Sequence, residues 1–323
     1  MPVELQVITS VFHNNKVYIT GISTDHVPES RRVQMYSLEG NTWSTLPESN
    51  YNAPIAIIND HITLIGGRDA KTNALTNVMS SWCEEEGEWR QILPLMPTKR
   101  IAGRAYQHGN LLLVTGGAEA VTEREKGNVT DRVHVFNFST MKWTTPQSLQ
   151  LPRGLRSHYL IHFDKYIYLM GGALTFLSTF HATPKQCHEE IHNANAWRAR
   201  WSDIEEAAQQ NAGMQDSQQG KSVWTPIVAP PTLRPTVVMF NNVIISVGGI
   251  SDGLPQDSIY KLVDHDTDSP LWTKVGSMSV GRYRHAVVPL GNLGAALFVA
   301  GGFVWVRNDE TNLKSASVEL VLL

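Results

Sequence analysis

Residues 111–117, Leu111-Leu112-Leu113-Val114-Thr115-Gly116-Gly117, decide how the rest of the chain is read. A short run of apolar and β-branched residues closed by two glycines has the length of a buried strand and ends in residues that accept backbone conformations other side chains avoid. The pattern recurs as ITLIGG ending at Gly67, IYLMGG at Gly172, VIISVGG at Gly249 and LFVAGG at Gly302. A degenerate sixth copy, VYITG at Gly21, has Ile22 in place of the second glycine. The first glycines fall at 21, 66, 116, 171, 248 and 301, so the steps are 45, 50, 55, 77 and 53. Self-similarity at a fixed period near fifty is the signature of a repeat architecture with one enlarged copy.

A second marker keeps the same phase. Trp43, Trp89, Trp143, Trp224 and Trp272 each follow a glycine at a similar interval, except in the enlarged unit, where the interval is 53. Between the markers, segments such as Val33-Gln34-Met35-Tyr36 and Val133-His134-Val135-Phe136 alternate with period two, as half-buried strands do. Asn14-Asn15, Asn59-Asp60, Gly109-Asn110, Asp164-Lys165 and Asn241-Asn242 sit just before the glycine strands, where a tight hairpin needs residues that tolerate positive φ. Each unit therefore reads as four antiparallel strands.

The double glycine, the alternating strand and the tryptophan at this period resemble kelch repeats, and the resemblance spans nearly the whole chain. It implies an all-β, six-bladed kelch-type β-propeller: a single domain over 1–323 with four-stranded antiparallel blades at about 6–47, 51–95, 101–150, 153–229, 234–277 and 281–323. Single blades cannot bury both faces and must stack around an axis. The glycine strand is expected to be the innermost one, with no room for a β-carbon at the axis, and the tryptophans are expected to fill the wedges between blades. At the C-terminus, SASVELVLL resembles a third strand with no fourth behind it, so the outer strand of the last blade is missing or supplied by residues 1–5. The expectation is a domain excerpted from a longer chain whose preceding residues held that strand.

In a four-stranded meander, the inter-blade loops and the loops between second and third strands emerge on one face. The inter-blade set carries Lys99 and Arg100, Arg153 and Arg156, Arg234, then Arg282 and Arg284, a local concentration of guanidinium groups in a chain of formal charge −3. Blade 2 offers Tyr51 and Asn52 instead, and blade 1 only Glu4. Arginines suit bidentate capture of carboxylates. Kelch receptors of ubiquitin ligases hold acidic motifs with arginines at similar positions, so the resemblance implies a partner-binding role for Arg100, Arg156, Arg234 and Arg284. The alternative is that these arginines satisfy carbonyls and carboxylates between blades. The other loop set, 68–76, 119–131 and 305–311, is long and polar, and Trp305 with Arg307 is an aromatic and arginine pair of the kind enriched in interface hot spots.

The enlarged fourth unit predicts a third strand over 195–201, a short acidic helix over 203–210 and a glutamine-rich turn over 211–220. Thr183, Pro184 and Gln186 are placed to start another helix, which would carry His188-Glu189-Glu190-Ile191-His192. Two histidines four apart with a glutamate beside the first match a zinc-protease pattern, which makes His188 and His192 candidate metal ligands. A third ligand is not evident, and a polar loop helix is the plainer reading. No nucleophile elbow, phosphate loop or dinucleotide fingerprint is found. His13, His158, His162 and His285 are assigned to packing and hydrogen bonding.

Hydrophobic residues make up 42% and charged residues 18% of the chain, which excludes a disordered or collagen-like protein. The charge provides no global field for nucleic acid or anionic membrane. Two cysteines, Cys83 and Cys187, are too few for a disulfide framework and suit a reducing, cytoplasmic setting. The expected function is non-enzymatic: a monomeric, cofactor-free module that holds a protein or acidic peptide on its loop face, with substrate recruitment as part of a longer chain one version. Kelch enzymes include copper oxidases and sugar isomerases, so the alternative is a small-ligand or sugar-acting enzyme that uses the axial pocket.

Overall fold

In blades 1 to 5 a two-residue hairpin turn joins the first strand to the second, and this forces the two to pair. Asn14, Asn15, Asn59, Asp60, Gly109, Asp164, Asn241 and Asn242 all take positive φ, between 46° and 65°, as the turn pairs predicted. The computed structural model describes residues 1, 6–22, 31–92, 94–119, 128–175, 191–209, 221–290, 296–306 and 311–323. Five four-stranded antiparallel meanders and a three-stranded sixth form a six-bladed β-propeller.

The first strands are Gln6–His13, Ile55–Ile58, Arg104–His108, Tyr159–Phe163, Thr236–Phe240 and Ala286–Leu290. Each touches the next, and the last returns to the first, so these six strands surround the axis. This corrects the expectation that the glycine strand is innermost. The glycine strands Lys16–Ile22, His61–Ile65, Leu111–Thr115, Tyr166–Met170, Val243–Val247 and Ala296–Ala300 are second in each blade. Their glycines meet backbone instead of the axis. A β-carbon on Gly116 would lie 2.3 Å from the Leu155 carbonyl oxygen of the next inter-blade loop, and one on Gly117 would lie 2.6 Å from the Ile101 carbonyl oxygen of its own.

Stacking six twisted sheets leaves six wedges, and each holds a separate apolar core. Tyr18, Leu46, Ile55 and Leu64 fill the wedge between blades 1 and 2. Val17, Ile19, Val288 and Phe298 fill the wedge between blades 6 and 1 and so close the ring. The tryptophans belong to these wedges, as expected. The indole nitrogens of Trp89, Trp143, Trp224 and Trp272 donate to the carbonyls of Pro47, Pro94, Leu149 and Val228, at 2.9, 3.4, 3.0 and 3.3 Å. Each acceptor lies just beyond the outer strand of the preceding blade, so one residue type both fills the wedge and ties two blades together.

Blade 6 ends, among the described residues, with Val318–Leu322 as its outer strand. Residues 2–5, the candidate closing strand, lie outside the described residues, while the Met1 ammonium donates to the Ala316 carbonyl at 3.1 Å. In blade 4 the third strand is Ala196–Arg200 and the helix α1 is Trp201–Gln209, starting two residues before the sequence-based position. Trp201, Ile204 and Ala207 share its buried face and join the core between blades 3 and 4, so Trp201 belongs to the helix. The glutamine-rich turn over 211–220 lies outside the described residues. Among the described residues no helix is long and apolar enough to cross a membrane.

Candidate functional site

The inter-blade loops reach the axis by a repeated backbone device. Tyr51, Ile101, Arg156 and Leu233 form single β-bridges with Arg68, Ala118, Ala173 and Ile250 of the loops between second and third strands, and Tyr283 pairs with Phe303 in the same way. The residue after each is left-handed: Asn52, Ala102, Ser157, Arg234 and Arg284 have φ between 50° and 54°. Around the mouth, the Ala102 amide donates to the Asn52 carbonyl at 3.5 Å and the Ser157 amide to the Ala102 carbonyl at 2.7 Å. These bonds knit neighbouring blades where the chain turns from rim to axis.

This register divides the arginines that the sequence grouped together. Arg100 and Arg282 stand two residues before the left-handed position and are 1% and 2% exposed. Arg100 donates from Nη1 to the Gly116 carbonyl at 2.8 Å and from Nη2 to Thr98 Oγ1 at 2.7 Å, and it pairs with Glu119 at 3.3 Å. Burial pulls it down to about 10, with Glu119 opposing. Arg282 repeats the arrangement on the Gly301 carbonyl at 3.2 Å, beside Glu319 at 3.7 Å. In blade 5 the same register holds Thr232, whose hydroxyl donates to the Gly248 carbonyl at 2.6 Å. For Arg100 and Arg282 the partner-binding expectation gives way to a structural role, because in blades 3, 5 and 6 the carbonyl of the first glycine is satisfied by a side chain of the inter-blade loop.

Arg156, Arg234 and Arg284, from blades 4, 5 and 6, converge on His192. Arg234 donates from Nε to His192 Nδ1 at 3.0 Å. Burial, then the charges of Arg234, Arg284 and Arg156, push His192 down to about 3, so the imidazole stays neutral and accepts. Arg156 is buried at 5% exposure and donates from Nε to the Thr175 carbonyl at 2.7 Å. Arg234 and Arg284 are half-buried. The Arg234 guanidinium lies 5.6 Å from the centre of the Tyr283 ring, which stacks on Phe303 at 5.1 Å and 17°. Three guanidinium groups and an aromatic pair thus share one sector of the loop face.

The remaining candidates lie elsewhere. Tyr51 and Asn52 are buried on blade 2, with the Tyr51 hydroxyl donating to Asn73 Oδ1 and the Arg31 guanidinium over its ring at 5.0 Å. Trp305 sits on a hairpin strand, Phe303–Val306, paired with Thr311–Lys314, and Arg307 lies outside the described residues. His188 and the helix expected from Thr183 also lie outside them. His192 itself is bridged in extended backbone to Ala173, which replaces the helical placement, and its Nδ1 is occupied by Arg234. Among the described residues no three His, Cys, Asp or Glu side chains cluster as metal ligands would. Sequence reasoning missed His192 as the hub of the arginines. Its position two residues after the Glu-Glu pair drew attention to metal chemistry, whereas its bridge to Ala173 puts it beside Arg156.

A family model described as the KLHDC2/KLHL20/DRC7 Kelch-repeats domain matches residues 7–219. Beta-scruin of Limulus polyphemus is 27% identical over 177 residues, 51% of this chain and 19% of that protein. Kelch-like protein terF of Aspergillus terreus is 30% identical over 141 residues, 40% of this chain and 30% of that protein. Human Kelch-like protein 23 is 26% identical over 130 residues, 39% of this chain and 21% of that protein. The chain thus spans less than a third of the length of these relatives. A solved structure titled "Structure of YjhT" superimposes with a TM-score of 0.66 at 14% identity, covering 100% of this chain and 96% of that one, and shares the fold.

Proposed function

The chain belongs to the kelch-repeat family, and from that premise we propose that it is a non-enzymatic interaction module that holds an acidic peptide segment of a protein partner on the face carrying Arg156, Arg234 and Arg284. The observation that carries this reading is the convergence of these three guanidinium groups from successive blades on one neutral histidine. A planar guanidinium grips a carboxylate with two parallel hydrogen bonds. The stacked Tyr283 and Phe303 add a rigid aromatic wall of the kind that anchors interfaces. The six-bladed ring holds the loops in register, so little ordering cost falls on binding.

The test is affinity capture with the wild-type chain and with Arg156→Ala/Arg234→Ala/Arg284→Ala as baits, followed by titration of peptides from the captured proteins. The expected result is loss of partners with acidic segments and at least a tenfold loss of peptide affinity in the triple variant. Wild-type affinity should also fall as salt is raised from low to physiological ionic strength. Retention of every partner by the triple variant would remove the proposal.

A further inference from the structure

The first strands enclose a channel of about 550 Å³ along the axis, within the size range of small-molecule sites. Its wall is divided chemically. At the end nearer the loop face, Arg104, Tyr159 and Thr236 from blades 3, 4 and 5 form a polar collar, each the residue paired with the position just before its blade's first glycine. The Arg104 guanidinium lies over the Tyr159 ring at 5.2 Å. The Tyr159 hydroxyl donates to Thr236 Oγ1 at 3.4 Å, and Thr236 donates on to the His285 carbonyl at 2.9 Å. Farther along, Ala56, Leu160 and Val238 belong to an apolar stretch. Among the described residues lining the channel there is an arginine but no aspartate or glutamate. A positive end in a low-dielectric tube focuses potential and selects the sign of what enters.

We propose that the channel is a binding site for a small organic anion with an apolar body, its carboxylate at the Arg104, Tyr159 and Thr236 collar and its hydrocarbon chain against Leu160 and Val238. The site is separate from the loop-face arginines that hold the acidic peptide. An anion has its countercharge at only one end of this channel, and an apolar tail gains from leaving water along the rest.

The probes are straight-chain carboxylates from butanoate to octanoate, each with the primary amide of the same length, titrated by calorimetry and ligand-observed NMR. Octanoate is expected to saturate the wild-type protein and octanamide to bind at least tenfold more weakly. Val238→Trp, which fills the tube, should abolish octanoate binding while the far-ultraviolet spectrum stays that of the wild type. Arg104→Gln should weaken octanoate tenfold or more. If Arg104→Gln does not fold, the Val238→Trp and octanamide arms decide by the same criteria. The triple alanine variant at Arg156, Arg234 and Arg284 should keep octanoate affinity within threefold. Absence of saturable octanoate binding, equal affinity for octanamide, survival of binding in Val238→Trp, or its loss in the triple variant would each overturn the proposal. Only the last of these would move the ligand to the loop face.

Discussion

At the scale of single residues, a pair of buried histidines records how one methyl or hydroxyl decides a hydrogen bond. His158 and His285 occupy the same position in blades 4 and 6, each with its imidazole Cε1 against the first glycine of the preceding blade, Gly116 and Gly248. The residue before that glycine is Thr115 in one case and Val247 in the other. Thr115 Oγ1 meets His158 Nε2 at 2.7 Å, whereas neither ring nitrogen of His285 has a partner among the described residues. Thr115→Val should therefore cost about 1–3 kcal/mol, the penalty of orphaning a buried polar atom. Val247→Thr should be neutral or stabilising by up to about 1 kcal/mol, because the new hydroxyl meets a waiting nitrogen. Urea unfolding of the two variants checks both signs, and a destabilised Val247→Thr would show that His285 does not accept the bond.

At the scale of elements, the paired glycines are joints between a second strand and two loops. Gly116 has φ +54° and no space for a β-carbon beside the Leu155 carbonyl, while Gly109 has the same φ and nothing within 4 Å of where one would stand. Gly109→Ala should cost about 1 kcal/mol, the conformational penalty alone. Gly116→Ala must also push apart the backbones of two blades and should cost about 3 kcal/mol or more. Equal stabilities of the two variants in chemical denaturation would contradict the clash. The sequence located these joints because glycine pairs have few other reasons to recur. It misassigned the innermost strand, because five buried residues in a row look alike whether a strand lies at the axis or one place outward.

At the scale of the molecule, six wedge cores replace one central core, and buried imidazoles set the response of the ring to acid. His158 and His285 are fully buried and held down to about 3, mainly by desolvation and then by nearby arginines. Their unfolded value is near 6.5, so between the two values the unfolded chain binds more protons. The stabilisation is complete above about pH 6.5 and is lost as pH falls toward 3, at roughly 1.4 kcal/mol per pH unit for each imidazole. Urea midpoints at pH 7 and pH 5 should differ clearly in the wild type and less in His158→Gln/His285→Gln. A midpoint unchanged between the two pH values would refute the assignment.

Blade number, blade phase, hairpin turns and the wedge role of the tryptophans were determined by the sequence alone. All depend on short-range rules: period-two burial, positive φ at turns, and an indole too large for any place but a gap between sheets. Which arginines work together was decided only by the tertiary structure. Arg100, Arg156 and Arg234 stand two residues before, one residue before and at the left-handed position, and these shifts send the first guanidinium to a glycine carbonyl and set the other two beside His192. His192 lies in sequence beside a metal-like motif and in space beside three cations from three blades. The channel and its polar collar have no linear signature, because Arg104, Tyr159 and Thr236 meet only when strands 55 and 77 residues apart close into a ring.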